Sequence, residues 1–128
     1  MQDAPRILIV EDHPTMRGAM RMVLEEGGYR IAEAADGPGA LGLVQEDPPD
    51  LVFLDLHMPG ISGAEILSSI RSDPSTARTR VIVVTAEGEE GRERLLALGA
   101  DAYFTKPFSP TALLRAAEQV LGRSDGEA

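Results

Sequence analysis

The feature that most constrains the fold of this chain is a regular alternation between short apolar runs and stretches with helical spacing. Five apolar runs have the length of strands and lie at residues 7–10, 30–35, 51–54, 81–84 and 102–104. The runs ILIV and VIVV contain no polar residue, which predicts strands buried on both faces by covering helices. Five strand–helix units in succession therefore predict an open α/β sandwich built on a parallel sheet.

The stretches between these runs carry apolar residues at helical spacing. Five of them share one face of a predicted first helix: Met16, Ala19, Met20, Val23 and Leu24. Shorter stripes occur at residues 66–70, 95–98 and 113–121. Residues 37–46 predict a weaker helix, because three glycines lower the helix propensity there. Two glycines also fall within residues 87–91, so we expect the first turn of the fourth helix to be loose and mobile.

Length, charge and the lack of cysteine exclude several classes of protein. The 128 residues suit one domain, which we place at residues 5–122, with residues 123–128 as a polar tail or the start of a linker. A net charge of −9 disfavours direct binding to a nucleic-acid backbone. Because the sequence has no cysteine, disulfides and thiolate metal sites are excluded. The apolar runs are far shorter than the roughly 20 residues that span a bilayer, and no signal peptide is evident, so we expect a cytoplasmic protein.

Polar residues follow the predicted strands at the edge where parallel sheets form their sites. They comprise three carboxylates, one hydroxyl and one ammonium: Glu11, Asp12, Asp55, Thr85 and Lys106. Three carboxylates in one cleft repel each other unless a cation lies between them. Oxygen ligands without histidine or cysteine favour Mg²⁺, with Mn²⁺ as the alternative. Asp12 also precedes Pro14 at the start of the first predicted helix, so we expect it to cap that helix.

Asp55 lies where the apolar run LVFL ends, shortly before the turn-forming residues Met58, Pro59 and Gly60. The strand is expected to fix the carboxylate, while the turn directs the backbone away and leaves an oxygen open. Lys106 is the only lysine among twelve basic residues, and lysine is a compact point charge where arginine is a bulky fork. A carboxylate between a divalent cation and a lysine can attack phosphorus in line and form an aspartyl phosphate.

These motifs together resemble a bacterial response regulator receiver domain over residues 5–122. The resemblance lies in ILIVEDH, in LVFLDLHMPG followed by Gly63, in VIVVTA and in YFTKPF, in this order and at these spacings. It implies a five-stranded parallel sheet in the flavodoxin-like order 2-1-3-4-5, flanked by five helices. It also implies a phosphoacceptor switch of a two-component phosphorelay rather than an enzyme that acts on other substrates.

The resemblance assigns roles to individual residues. Asp55 would be the phosphoacceptor. Mg²⁺ would be held by three carboxylates and one main-chain carbonyl, those of Glu11, Asp12, Asp55 and His57. Thr85 and Lys106 would contact the phosphoryl oxygens. Tyr103 corresponds to an aromatic residue that turns inward when Thr85 moves, and Pro107 to a proline that follows a cis peptide bond.

The resemblance also implies partners. The phosphoryl donor would be a phosphohistidine on a histidine kinase or on a histidine phosphotransfer protein. Phosphorylation would alter the surface of helix four, strand five and helix five, and the domain would then slowly hydrolyse its own phosphoryl group. His57 and Glu87 occupy positions that influence the rate of this loss. The output is an unknown partner or an output domain absent from this chain, and a phosphorylation-dependent dimer is an open alternative.

Three alternatives belong to other classes of function. A phosphohydrolase of the haloacid dehalogenase type also uses a strand-end aspartate, Mg²⁺, a threonine and a lysine, but it needs a second aspartate where this chain has His57. A flavin- or nucleotide-binding module needs a phosphate-cradling loop after the first strand, where this chain has EDHP. A receiver that binds its partner without phosphorylation is disfavoured by the complete set of site residues.

Overall fold

The computed structural model describes residues 4–58 and 60–122. Residues 123–128, the predicted tail, and Pro59 of the predicted turn lie outside the described part. Strands and helices alternate along the chain, in the order β1 (Arg6–Val10), α1 (Pro14–Glu26), β2 (Arg30–Ala34), α2 (Gly37–Glu46), β3 (Leu51–Leu54), α3 (Gly63–Ser72), β4 (Arg80–Thr85), a 3₁₀ turn (Glu89–Gly91), α4 (Arg92–Ala97), β5 (Ala102–Thr105) and α5 (Pro110–Val120). Within the described residues, no helix is long and apolar enough to cross a membrane.

The five strands form one parallel sheet in the order β2-β1-β3-β4-β5. This confirms the predicted fold class and strand order. Val10 pairs with Leu54 at the carboxyl ends of β1 and β3, and Thr85 pairs with Thr105 at the ends of β4 and β5. Since these ends lie side by side, the residues that follow them meet at one edge of the sheet.

Both faces of the sheet are buried under helices. Successive side chains of β1 point to opposite faces, so Ile7 and Ile9 pack with α1 and α5, while Leu8 and Val10 pack with α2, α3 and α4. All four residues are at most 1% exposed. This two-sided burial explains why the runs ILIV and VIVV show no alternation with polar residues.

The segment before α4 has a different secondary structure from the one predicted from the sequence. We predicted a fourth helix with a loose first turn, and the structure has a 3₁₀ turn at Glu89–Gly91 followed by a short α4. Gly88 has a φ of 86°, a backbone conformation that side chains disfavour, and it separates β4 from that turn. The predicted mobility of this segment stays a prediction.

Candidate functional site

Asp55 lies directly after β3, at the centre of the carboxyl edge of the sheet. Its main-chain N–H donates to the carbonyl oxygen of Val10 over 3.1 Å, which ties it to β1. One carboxylate oxygen, Oδ1, accepts from the N–H of His57 over 3.1 Å. The residue is 7% exposed. The carboxylate is therefore held in place by the backbone around it, and it faces a cleft rather than open solvent.

Gly63, the first residue of α3, lets this helix approach the backbone that carries Asp55. A Cβ atom at Gly63 would lie 2.7 Å from Cα of Leu56 and 2.8 Å from the main-chain oxygen of Asp55. Neither backbone atom can move aside as a flexible side chain would. Glycine at this position is thus required by the close packing that supports the candidate phosphoacceptor.

Lys106 follows β5 and reaches across the sheet edge to two of the carboxylates. Its Nζ lies 2.7 Å from Oε1 of Glu11 and 3.2 Å from Oδ2 of Asp55. Its main-chain N–H donates to the carbonyl oxygen of Thr85 over 2.7 Å, and its peptide bond to Pro107 is cis. Burial by itself lowers the pKa of the Lys106 ammonium, but the hydrogen bond to Glu11 and the charge of Asp55 outweigh it and raise the pKa above its ordinary value. Lys106 is therefore a permanent cation of this site.

Glu11 is the most deeply buried acid of the site, at 2% exposure. Burial raises the pKa of its carboxyl group, the hydrogen bond from Lys106 opposes this, and the charge of Asp55 raises the pKa further. The net result is a pKa above the ordinary value of 4.5. A second cation in the cleft would offset the same two costs, desolvation and repulsion between carboxylates.

Three carboxylates form a cluster at this edge: Glu11, Asp12 and Asp55 offer one oxygen each, all within 4.8 Å of one another. Oxygen ligands at this spacing fit Mg²⁺, and the exposed Asp12 leaves room for the water molecules that Mg²⁺ tends to keep. His57 lies beside the cluster through its N–H contact with Asp55, and the role of its carbonyl stays a prediction. The cluster lines a cleft of about 490 Å³ together with Lys106.

Thr85 ends β4 and is completely buried. Its Oγ1 accepts a hydrogen bond from the N–H of Glu87 over 3.1 Å. The described lining of the cleft includes Asp55 and Lys106 but not Thr85. The sequence-predicted residues thus follow or end strands at one edge of the sheet, but Thr85 is buried and does not line the cleft.

Tyr103 lies in the middle of β5 and turns inward. The residue is 1% exposed, and its hydroxyl donates to the carbonyl oxygen of Gly88 over 2.7 Å. The guanidinium carbon of Arg92 lies 5.1 Å from the centre of its ring, within the range of a cation–π contact. Tyr103 therefore connects β5 to the segment between β4 and α4.

The structure also shows features that sequence reasoning missed. The cap of α1 is His13, whose ring accepts from the N–H of Met16, so the expected capping by Asp12 is wrong. Ala19 belongs to the apolar stripe predicted for α1, but it is exposed and lines the cleft. Nε2 of His57 lies 2.9 Å from Oε2 of Glu87, a contact between two loops that no local pattern indicates.

Taken together, the fold and site are those of a doubly wound α/β protein with an acidic cleft at its strand ends. The family model for the response regulator receiver domain matches residues 7–118 of the chain. The chain therefore belongs to the response regulator receiver family, whose members are signalling switches of two-component systems. Receiver domains of this family generally bind Mg²⁺ at an acidic pocket.

Several curated relatives are transcriptional regulators. The chain is 40% identical over 121 residues to the phosphate regulon transcriptional regulatory protein PhoB of Escherichia coli, a match that covers 94% of this chain and 53% of PhoB. It is 38% identical over 120 residues to the transcriptional regulatory protein ResD of Bacillus subtilis, covering 93% of this chain and 49% of ResD. The chain thus spans about half the length of these curated relatives.

Solved structures of similar proteins match nearly the whole chain. The chemotaxis response regulator CheY4 of Vibrio cholerae superposes with a TM-score of 0.87 at 30% identity, covering 92% of this chain and 99% of that one. The receiver domain of a Pseudomonas aeruginosa sensor histidine kinase superposes with a TM-score of 0.85 at 29% identity, covering 93% and 98%. That second structure holds a magnesium ion coordinated in its active-site cleft.

Proposed function

We propose that this chain is a phosphoacceptor switch in which Asp55 receives a phosphoryl group from the phosphohistidine of a histidine kinase or a histidine phosphotransfer protein. The observation that carries the proposal is the position of the Asp55 carboxylate. It lies 3.2 Å from the Lys106 ammonium and within 4.8 Å of carboxylate oxygens of Glu11 and Asp12, and it lines the same cleft as they do. Family membership supplies the general function of a phosphorylation switch.

The proposed transfer forms one bond and breaks one bond. A carboxylate oxygen of Asp55 forms an oxygen–phosphorus bond, while the nitrogen–phosphorus bond of the phosphohistidine breaks and its electron pair returns to the imidazole nitrogen. The Lys106 ammonium, already 3.2 Å from Asp55, offsets the negative charge that the incoming group brings. Bound Mg²⁺ neutralises phosphoryl oxygens in such reactions. Glu11, Asp12 and Asp55 are the residues that would hold it, with Mn²⁺ as a substitute.

The proposed conformational response begins at Thr85. Its hydroxyl now accepts from the N–H of Glu87, and because Thr85 does not line the cleft, it would have to move toward Asp55 to donate to a phosphoryl oxygen. The segment after β4 would then shift, and Tyr103 is joined to that segment through the carbonyl oxygen of Gly88. The surface formed by α4, β5 and α5 would change with it, because β5 contains Tyr103 and Arg92 of α4 contacts the Tyr103 ring.

We further propose that the phosphoryl group is lost slowly by hydrolysis in the same cleft. His57 lines the cleft and contacts Glu87 over 2.9 Å, so we expect this pair to influence the rate of that loss. The altered surface would act on an output partner or an output domain. Because relatives such as PhoB are about twice as long, an attached output domain is one form of this proposal. A phosphorylation-dependent dimer is another.

The direct test is chemical phosphorylation of the 128-residue chain. With acetyl phosphate and MgCl₂, intact mass spectrometry should record the addition of one phosphoryl group, and hydroxylamine should remove it because it is an acyl phosphate. Asp55→Asn should abolish the addition, whereas Asp47→Asn, an exposed acid at the end of α2, should leave it unchanged. Equal labelling of the parent and Asp55→Asn would show that the nucleophile is a different residue.

The same assay separates the switch from a phosphohydrolase. A haloacid dehalogenase type enzyme would turn over p-nitrophenyl phosphate repeatedly, using a second acid two residues after the nucleophile. This chain has His57 at that position, so we expect no turnover. Sustained release of p-nitrophenol that is lost in Asp55→Asn would favour the hydrolase instead.

A further inference from the structure

Arg17, near the start of α1, joins the acidic cleft to the edge strand β2. Its Nη1 donates to the main-chain oxygen of Glu11 over 2.8 Å, and its Nε donates to Oε1 of Glu33 over 2.8 Å. The side chains of Arg17 and Glu33 are only 20% and 28% exposed, so their ion pair is better shielded than a typical surface pair. One planar guanidinium thus binds two sites at once, which the compact ammonium of a lysine does not reproduce.

The carbonyl that Arg17 binds belongs to the peptide unit that joins Glu11 to Asp12. The other polar groups of Glu11 are also held. Its N–H donates to the carbonyl oxygen of Ala34 over 3.1 Å, and Oε2 accepts from the N–H of His13 over 3.2 Å. Arg17 completes this set by fixing the last free group, the carbonyl.

Asp12 is in the opposite situation. It is exposed, and its carboxylate has no hydrogen-bond partner among the described residues. The direction of this carboxylate therefore depends on the backbone on its two sides. On one side that backbone is the peptide bound by Arg17, and on the other it is His13, the cap of α1.

The geometry points to Arg17, anchored by Glu33, as a positioning residue that fixes the Glu11–Asp12 peptide and thereby sets the affinity of the cleft for Mg²⁺. Arg17 does not touch the cation; it acts through the peptide that carries the two acids. This inference rests on the proposed function, in which the same cleft holds Mg²⁺. Groups that orient metal ligands typically change metal affinity by about 10–100-fold when they are removed.

An effect of charge and an effect of positioning predict opposite changes in the affinity for Mg²⁺ when Arg17 is removed. By charge alone, Arg17→Gln deletes a cation near the cleft and should tighten Mg²⁺ binding. If Arg17 acts by positioning, the same change frees the peptide between the two acids and should weaken Mg²⁺ binding. Arg17→Lys keeps the charge but loses the planar guanidinium group. Charge alone then predicts no change in the affinity for Mg²⁺, whereas positioning again predicts weaker binding of Mg²⁺.

Arg21 provides a matched control within the same ion-pair cluster. It also binds Glu33, through Nη1 to Oε2, and it pairs with Glu25 over 2.9 Å. Among the described contacts it has none with the main chain of Glu11. Arg21→Gln therefore removes the same charge and one partner of Glu33 without releasing the peptide.

The experiment is isothermal titration of the 128-residue chain with MgCl₂ at constant ionic strength, with urea unfolding measured in parallel. We expect Arg17→Gln to raise the Kd for Mg²⁺ about tenfold, since Arg17 acts through a peptide and so falls at the low end of the known range. Arg17→Lys and Glu33→Gln should raise the Kd by smaller factors, and Arg21→Gln should leave it within twofold of the parent. In the double variant of Arg17→Gln and Glu33→Gln, the Kd should match that of Arg17→Gln alone, because the two residues act as one unit.

The outcomes distinguish this inference from the proposed function. If the parent binds Mg²⁺ and Arg17→Gln binds it equally or more tightly, the positioning role is wrong while the phosphoacceptor proposal stands. If Arg21→Gln weakens binding as much as Arg17→Gln, the effect is general to the cluster and the inference also fails. If the parent binds no Mg²⁺, the cation requirement of the proposed function fails first. Should Arg17→Gln not fold, Arg17→Lys decides the question by the same criteria, because it keeps the charge.

Discussion

Replacing Lys106 by methionine should destabilise the domain in the absence of divalent cations and make it unusually dependent on Mg²⁺. The change removes the ammonium that lies 2.7 Å from Glu11 and 3.2 Å from Asp55. The apolar part of the side chain is kept, so the packing changes little. What remains is a pair of largely buried carboxylates without a counter-ion between them.

The magnitude follows from two independent estimates. At 4.8 Å, the upper limit of the oxygen separations in the cluster, two unit charges repel by about 3.5 kcal/mol at an effective dielectric constant of about 20. The variant can escape this repulsion by protonating Glu11, which from its ordinary pKa of 4.5 costs about 3.4 kcal/mol at pH 7. Since the protein takes the cheaper route and relaxes partly, we expect a loss of about 2–3 kcal/mol in the free energy of unfolding.

The assay is urea unfolding followed by circular dichroism at pH 7, once with EDTA and once with saturating MgCl₂. In the parent, the Lys106 ammonium competes with Mg²⁺ for the same oxygens, so Mg²⁺ should stabilise the variant more than the parent. Arg115→Met is the matched control, because it removes a positive charge that is exposed and has no ion pair among the described residues. If the Lys106 variant is as stable as the parent in EDTA, or if Mg²⁺ stabilises both equally, the ammonium does not neutralise this acid cluster.

Three further predictions concern the surroundings of the site. Gly63→Ala places a Cβ atom 2.7 Å from Cα of Leu56, and the forced backbone shift should lower the free energy of unfolding in urea by about 1–3 kcal/mol. The same shift should slow labelling by acetyl phosphate. An unchanged unfolding midpoint would show that α3 can move away freely. Tyr103→Phe removes the hydroxyl that donates to the carbonyl oxygen of Gly88 and should cost about 1 kcal/mol in the free energy of unfolding. The amide resonance of Glu89, which shares that peptide unit, should also shift. Equal stability and an unshifted resonance would contradict the role of this bond. Hydrogen bonds from its arginine partners lower the pKa of Glu33 below 4.5, so its contribution to stability is present above pH 4.5 and is lost as the pH falls through the lowered pKa. Glu33→Gln should therefore be less stable than the parent at pH 7, and the difference should shrink at acid pH, whereas a constant difference would mean that the carboxylate charge contributes nothing.

The strand framework and the main site residues could be predicted from the sequence because both depend on simple local signals. Two-sided burial makes ILIV and VIVV continuous apolar runs, and parallel order then places whatever follows them at one edge. Asp55 and Lys106 were predicted together on this ground, and the structure brings them within 3.2 Å. Their chemical roles are the subject of the proposed experiments.

The contacts that local signals did not predict join segments far apart in the chain. Arg17 and Glu33 belong to different elements, and so do His57 and Glu87, so only the folded sheet brings them together. The predicted cap of α1 was wrong for another reason. His13 is not among the strongest capping residues, and Asp12 was favoured by propensity, but the ring nitrogen of His13 is the atom that reaches the N–H of Met16.

The distance along the chain between the parts of the cleft has a consequence for protein synthesis. Glu11 and Lys106 are separated by 95 positions, yet their side chains meet only when β5 has paired with β4. A ribosome-bound fragment that ends before Lys106 lacks the ammonium and leaves the acids of β1 and β3 without it. Under the proposed function, the complete site for a phosphoryl group would therefore form only late in translation.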